Sequence, residues 1–257
     1  MRLNPHVAAV AAPPIPEVRG WAARYEGRFG PTIDLTQAVP GYPPHPDLVA
    51  RLADLAGQRA LYGYGPILGE GALRDAYAAE IGRLYGGDVR ADDVAVTAGA
   101  NLASYAVTAL LCGPGDAVML PVPWYFNHRM NAGLQGVGVV PLPTAAATGF
   151  VPDPAEAERR LDERVRAIFL VNPNNPTGAI CPPETIRAFA TLCRRRGIAL
   201  VLDETYRDFR PPALARPHEL FADPAWRDTV VQLYSFSKSF CVPGFRAGAI
   251  VADAALM

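Results

Sequence analysis

Short apolar runs alternate along the chain with longer segments in which apolar positions recur every three or four residues. The runs fall at 94–97, 117–120, 137–141, 167–171, 198–202, 229–234 and 247–252. The periodic segments between them predict helices at 100–111, 126–134, 154–161 and 183–196. Two more helices are predicted ahead of the first run. One spans 46–55, with Asp47 in its first turn, and one spans 70–85, with Leu73, Tyr77, Ile81 and Leu84 on one face. Strands apolar at successive positions, separated by helices, predict an α/β fold of three layers (αβα) around a mostly parallel sheet of seven strands. The first 45 residues lack this rhythm. They are rich in proline, end in Val39-Pro40-Gly41-Tyr42-Pro43-Pro44, and read as irregular. No internal repeat, low-complexity tract or flexible linker interrupts the rest.

Composition narrows the function classes. A chain of 257 residues allows one large domain or about one and a half ordinary ones. Half of the residues are hydrophobic and 19% are charged, which describes a well-buried globular protein. The net charge is -1, and Arg194-Arg195-Arg196 is the single basic run, so neither nucleic acid nor a membrane surface is an expected partner. No stretch of 18 apolar residues is present, so no transmembrane helix is expected. The apolar N-terminus is broken by Pro5, Pro13, Pro14 and Pro16 and does not read as a secretory signal. The four cysteines (Cys112, Cys181, Cys193 and Cys241) show no paired spacing. They read as free thiols in a cytoplasmic protein, with no metal site. The 24 cationic side chains divide into 23 Arg and one Lys, Lys238. GC-rich codons explain the 23. The survivor matters because a guanidinium cannot serve where a neutral, nucleophilic amine is needed.

In a parallel α/β sheet, ligands bind beyond the carboxyl ends of the strands, and residues suited to chemistry gather there. After 94–97 comes Gly99-Ala100-Asn101, a small-residue turn into a helix; it suits a phosphate on the backbone N–H groups or simply a tight turn. After 117–120 come Trp124, Tyr125, Phe126 and His128, a stacking platform for a planar ring or an ordinary aromatic cluster. After 167–171 comes Asn172-Pro173-Asn174-Asn175-Pro176-Thr177-Gly178, whose prolines restrict the backbone and whose amides can point inward; turn chemistry alone also selects these residue types. After 198–202 comes Asp203, a carboxylate ending a buried strand, which needs a cation opposite it. After 229–234 come Ser235, Ser237 and Lys238, with Arg246 8 residues beyond the lysine. Neither GxGxxG nor a P-loop motif occurs.

The strings NPNNPTG, DETYRDF and SFSKSFCVPGFRAG, in this order and spacing, resemble the signature of the class I/II aminotransferases. These are pyridoxal-phosphate (PLP) enzymes of fold type I. Asp203 lies 28 residues after Asn175, Tyr206 lies 3 after Asp203, and Lys238 lies 35 after Asp203. The resemblance implies an enzyme that transfers an amino group between an amino acid and a 2-oxo acid through a Lys238 Schiff base with pyridoxal 5'-phosphate. It implies that Asp203 pairs with the cofactor's pyridinium nitrogen, with His128 behind it. Asn175 and Tyr206 then face the ring's phenolic oxygen, and Tyr125 stacks on the ring. Gly99, Ala100, Asn101, Ser235, Ser237 and Arg246 hold the phosphate. Tyr64, within Tyr62-Gly63-Tyr64-Gly65-Pro66, is similar to the family tyrosine that reaches the site of a neighbouring subunit, which implies a homodimer.

The pattern departs from the family at its end. Met257 comes 11 residues after Arg246, where the family continues into a C-terminal small domain. The expected organisation is therefore residues 1–45 as the N-terminal segment of an incomplete small domain and 46–257 as the PLP-binding large domain. The family arginine that clamps the substrate carboxylate has no counterpart by motif. Two alternatives follow: a truncated PLP-binding fragment without turnover, or a related PLP lyase or decarboxylase that uses the same cofactor residues.

Overall fold

The computed structural model describes residues 1–214 and 216–257. Nine helices of α type are present among them: α1 (Pro5–Ala9), α2 (Ile15–Ala23), α3 (Pro46–Ala56), α4 (Gly71–Tyr85), α5 (Ala100–Leu111), α6 (Phe126–Leu134), α7 (Pro154–Arg160), α8 (Pro183–Arg196) and α9 (Phe236–Ser239). The strands are β1 (Val94–Thr97), β2 (Ala117–Val122), β3 (Gly138–Pro143), β4 (Val165–Val171), β5 (Ala199–Asp203), β6 (Val230–Ser235) and β7 (Gly248–Val251). They form one seven-stranded sheet in the order β1-β7-β6-β5-β4-β2-β3. Strand β7 runs antiparallel to both β6 and β1, and every other pairing is parallel. The expected α/β, mostly parallel architecture is therefore what the chain adopts.

Alternate strand residues feed two cores. Met119, Ile168, Leu170, Leu200 and Leu202 face α4 and α8, packing on Tyr77, Ile81, Tyr85, Ile186 and Phe189. Val118, Leu120, Phe169, Val201 and Leu233 face α5 and α6, packing on Ala103, Val107 and Ala132. On α4 the buried face is Tyr77, Ala78, Ile81 and Tyr85, while Leu73 remains 37% exposed. Burial pushes the thiols of Cys181 and Cys193 up to about 12, which leaves both as inert core groups. All four cysteines are free.

The proline-rich N-terminus is not irregular throughout, as the sequence pattern suggested. It holds α1 and α2, each with a proline in its first turn, where the missing N–H has no intrahelical partner to lose. No described residue before Tyr77 is buried. This segment contributes no core of its own: α1 packs on α6, with His6 beside Gly136, whereas Pro14, Ile15, Val18 and residues 35–39 lie along the open end of the sheet. There the carboxyl ends of β1, β2, β4, β5 and β6 meet the start of β7, and the loops leaving them enclose a cleft.

Candidate active site

The cleft has a volume of about 700 Å3 and is walled by strand-end residues on one side and by Pro14, Ile15, Val18 and residues 35–39 on the other. Asp203, the last residue of β5, forms its floor at 4% exposure. Its Oδ2 lies 3.0 Å from His128 Nε2, and its Oδ1 accepts the Thr205 N–H at 3.0 Å. Burial acts to raise the Asp203 pKa, but the His128 hydrogen bond and charge, together with the Thr205 donors, outweigh it and hold the carboxyl below its ordinary value. His128 sits in the first turn of α6. Its ring meets Tyr125 edge-on at 5.3 Å and leans on Phe169 at 5.4 Å, so imidazole and carboxylate are fixed together.

The NPNNPTG loop divides its three asparagines. Asn172 Oδ1 accepts the Cys181 N–H at 2.9 Å, and Asn174 Nδ2 donates to Thr177 Oγ1 at 2.8 Å, so both serve the loop itself. Asn175 is left to line the cleft. It stands beside Tyr206, whose phenol burial pushes up to about 12, with Tyr125 and Asp203 adding to the rise and Asn175 opposing it. Tyr206 is therefore a donor at neutral pH. Tyr125 and Trp124 both line the cleft. The Tyr125 hydroxyl accepts from Asn127 Nδ2 at 2.7 Å, and the Arg129 guanidinium lies 5.8 Å from the Trp124 ring.

Lys238, on the one-turn helix α9, points into the cleft. Its Nζ stands 5.7 Å from the Tyr206 ring centroid and donates to the Ala38 carbonyl. Burial, and then the charge of Arg246, lower its pKa, which favours the neutral amine that nucleophilic chemistry needs.

The opposite end of the cleft is built for an anion. Gly99 takes φ 87° ahead of α5, and a Cβ there would collide with the Arg246 guanidinium. Gly248 presses on the same turn, since a Cβ on it would stand 2.6 Å from the Ala100 nitrogen. The first N–H groups of a helix have no intrahelical acceptor. In α5 these belong to Ala100 and Asn101, beside Arg246. Arg246 adopts a left-handed φ of 55° and donates to the Pro243 carbonyl at 2.9 Å. Ser235 Oγ accepts the Ser237 N–H at 3.3 Å, whereas Ser237 Oγ is buried with no hydrogen-bond partner. An anion here would meet a guanidinium, an orphaned hydroxyl and free helix N–H groups together.

Every site residue expected from sequence reaches this cleft or its backing except Tyr64. That side chain is fully exposed on the loop before α4, away from the cleft of its own chain. Sequence reasoning missed three contributors. The Thr205 N–H two residues after Asp203 is a legible signal, an aspartate capping its own turn. The side-chain contact from Asn127 to Tyr125 and the taking up of Lys238 by the Ala38 carbonyl depend on tertiary placement. No group of His, Cys, Asp and Glu residues that could hold a metal ion is found among the described residues. No described helix is long and apolar enough to cross a membrane.

The polar inventory fits pyridoxal phosphate. A phosphate matches the Gly99 turn, which a Cβ would fill, and the orphaned Ser237 hydroxyl; a pyridinium matches the buried Asp203–His128 pair; the aldehyde matches Lys238 between them.

Known proteins share sequence and fold with this chain. The chain is 36% identical to the arginine–pyruvate transaminase of Pseudomonas aeruginosa over 194 residues, covering 75% of this chain and 49% of that protein. It is 31% identical to the aspartate/prephenate aminotransferase of Thermus thermophilus over 225 residues, covering 84% of this chain and 55% of that protein. Among solved structures, the Thermus thermophilus aspartate aminotransferase with maleate superposes with a TM-score of 0.86 at 26% identity. That match covers 100% of this chain and 66% of the other. The chain thus spans about half the length of the curated relatives it matches. The family aminotransferase class I and II, whose members depend on pyridoxal phosphate, matches residues 31–257, and the chain belongs to it.

Proposed function

We propose that the protein is a PLP-dependent aminotransferase, moving an amino group between an amino acid and a 2-oxo acid, with Lys238 as the covalent anchor of the cofactor. The observation that carries this reading is the sole lysine, its pKa lowered by burial, in one cleft with a buried Asp203–His128 pair and an anion-ready turn. The bound cofactor supplies an electron sink for the pair left at the substrate α-carbon. Arg246, Ser235, Ser237 and the N–H groups of the Gly99-Ala100-Asn101 turn bind its phosphate. Asp203, held by His128 and Thr205, keeps a proton on the ring nitrogen. Tyr206 and Asn175 direct hydrogen bonds at the ring oxygen, and Tyr125 covers one ring face. Lys238 Nζ, as a neutral amine, would take the proton from the substrate α-carbon and hold it for delivery within the cleft, and would return it to that carbon in the reverse direction. Full exposure of Tyr64 suits a side chain that completes the cleft of a second copy in a homodimer. Residues 1–45 are read as part of a small domain against a large domain of residues 46–257, in a cytoplasmic enzyme.

Borohydride reduction after incubation with pyridoxal phosphate tests the anchor. Label on Lys238 is expected, and label confined to the Met1 amine would defeat the reading. One observation favours a second reading, in which this chain binds the cofactor without turnover. Arg246 is the single arginine lining the cleft among the described residues, and it belongs to the phosphate end, so no lining guanidinium faces a substrate carboxylate. A panel of amino acids separates the two: conversion of the cofactor to its amine form supports transamination, and an unchanged spectrum supports binding alone.

A further inference from the structure

Helix α9 is a single turn, too short to be held by its own hydrogen bonds. Its four residues divide between two cavities. Ser237 and Lys238 line the cleft, whereas Phe236 and Ser239 line a second cavity of about 260 Å3, together with Asp208 and Tyr234. The turn that carries Lys238 is therefore a thin partition: Phe236 anchors its first residue by packing on Tyr77 and Tyr234 and by donating its N–H to the Ala247 carbonyl, and a further contact fixes its last, Ser239.

A carboxylate on the neighbouring loop supplies that contact. Asp208 lies in the 3-10 turn Arg207–Phe209, directly after Tyr206. Its Oδ2 accepts from the Tyr234 hydroxyl at 2.6 Å and also from the Ser239 hydroxyl. The two hydroxyl oxygens are 3.3 Å apart, so three oxygens close a triangle. Tyr234 is itself immobilised. Tyr77 stacks on its ring at 5.4 Å, and the Arg207 guanidinium lies 4.1 Å from its centroid. Burial, reinforced by the Asp208 charge, raises the Tyr234 pKa, so its phenol remains a donor.

We propose that Asp208 is a positioning residue for Lys238: by accepting from both Tyr234 and Ser239 it ties the lysine-bearing turn to the loop that carries Tyr206. The amine is thereby held inside the cleft, close to the Tyr206 ring and partly desolvated. This rests on Lys238 as the reactive amine, but its test needs no cofactor. The titratable groups that share the cleft with Lys238 are Asp203, Tyr125, Tyr206 and Arg246; behind the turn stand Tyr77, Glu80, Arg207, Asp208 and Tyr234, and the Cys241 thiol lies at the Lys238 carbonyl.

The experiment is acetylation of the full chain by acetic anhydride across a pH series. Mass spectrometry reads Lys238 separately from the Met1 amine in the wild type, Asp208→Asn, Ser239→Ala and the double variant. Loosening the turn returns water to the amine, so its titration midpoint is expected to rise by about half a pH unit in each single variant. That is roughly a threefold loss of neutral amine at a fixed pH below the midpoint. Removing the Asp208 charge without loosening the turn would move the midpoint the other way, since a lost anion disfavours the ammonium. The double variant is expected to shift no further than the larger single shift, because both changes cut one tie. Amide exchange at residues 236–241 is expected to quicken in parallel. A midpoint that stays or falls in either single variant, or shifts that add, would overturn the proposal. Should Asp208→Asn fail to fold, Ser239→Ala decides alone. Borohydride labelling of the wild type reports separately on Lys238 as the cofactor's anchor.

Discussion

Replacing Asp203 by Asn tests the floor of the cleft without adding or removing a heavy atom. In the native chain the two carboxylate oxygens each accept one hydrogen bond, from His128 Nε2 at 3.0 Å and from the Thr205 N–H at 3.0 Å. An amide offers one oxygen and one NH2: with the oxygen on the Thr205 N–H, the NH2 opposes His128 Nε2, donor against donor as long as the imidazole keeps its Nε2–H, and with the amide turned over the NH2 opposes the Thr205 N–H. The cost of leaving one such group unsatisfied is about 1–3 kcal/mol, roughly a 5- to 150-fold loss in the folded-to-unfolded ratio. Relief of the buried charge works against this. The direction of the Asp203 shift decides between them. A carboxyl held below its ordinary value despite burial is stabilised more by its partners than it is penalised by desolvation. The sign with pH follows. A lowered folded pKa gives stability that is complete above the unfolded value of 3.8 and is lost as pH falls through the lower folded value. Urea unfolding of both chains should therefore show a constant difference at neutral pH that shrinks below pH 3.8. Equal stability at pH 7, or a difference that does not shrink in acid, would refute the reasoning. With cofactor present, the same variant is expected to retain part of its binding and lose most turnover.

Other changes reach other parts of the molecule. Gly99→Ala places a methyl group against the Arg246 guanidinium at a φ of 87°. A loss of about 1–2 kcal/mol from the left-handed backbone is expected in thermal unfolding, with weaker phosphate binding by calorimetry. Arg246→Gln removes charge-assisted contacts of about 1.5–3 kcal/mol, so the cofactor's dissociation constant should rise roughly 10- to 150-fold by spectral titration. Tyr85→Phe withdraws the hydroxyl that donates to buried Glu204, whose pKa burial already raises. A raised carboxyl costs both chains the same stability as pH climbs past its unfolded value of 4.5, and losing the Tyr85 donor raises it further, so the variant's added deficit in urea should open only as pH passes the native chain's raised folded value. Its size at neutral pH should be about 1–3 kcal/mol.

What could be read in the chain depended on whether a feature is local. Strands such as β4 and β5 announced themselves because each carries an unbroken apolar run between its helices, interrupted only by Arg166 near the start of β4 and ended by Asp203 in β5, and they lie within two residues of the runs. Their order in the sheet is set by pairings between distant segments, and nothing local encodes that β7 inserts between β1 and β6. Helices α1 and α2 were hidden by prolines that look like breakers, although in a first turn they are tolerated. Helix α9 is shorter than any helical period can register. At the site, Lys238, Asp203, Asn175 and Arg246 were legible from motif spacing, and the cleft gathers all four. The need for a cation opposite Asp203 was legible from the cost of a buried charge, and His128 meets it. The oxygen triangle of Asp208, Tyr234 and Ser239 joins residues up to 31 apart through side-chain rotamers, which a linear pattern does not carry.

The place of β7 has a consequence for synthesis on the ribosome. Strand β1 pairs with β7 alone, and Thr97 at its end meets Gly248. Some 150 residues must be added between the two partners, which takes about 8–30 s at ordinary elongation rates of roughly 5–20 residues per second. Through that interval the nascent β1 has no strand to dock on, and the Gly99 turn behind it has no Gly248 pressing it into shape. The turn at Gly99 thus reaches its final shape only after Gly248 has been made. Until then β1 can dock only on its neighbouring helices α4 and α5 and on the Leu68 carbonyl, with both strand edges unpaired.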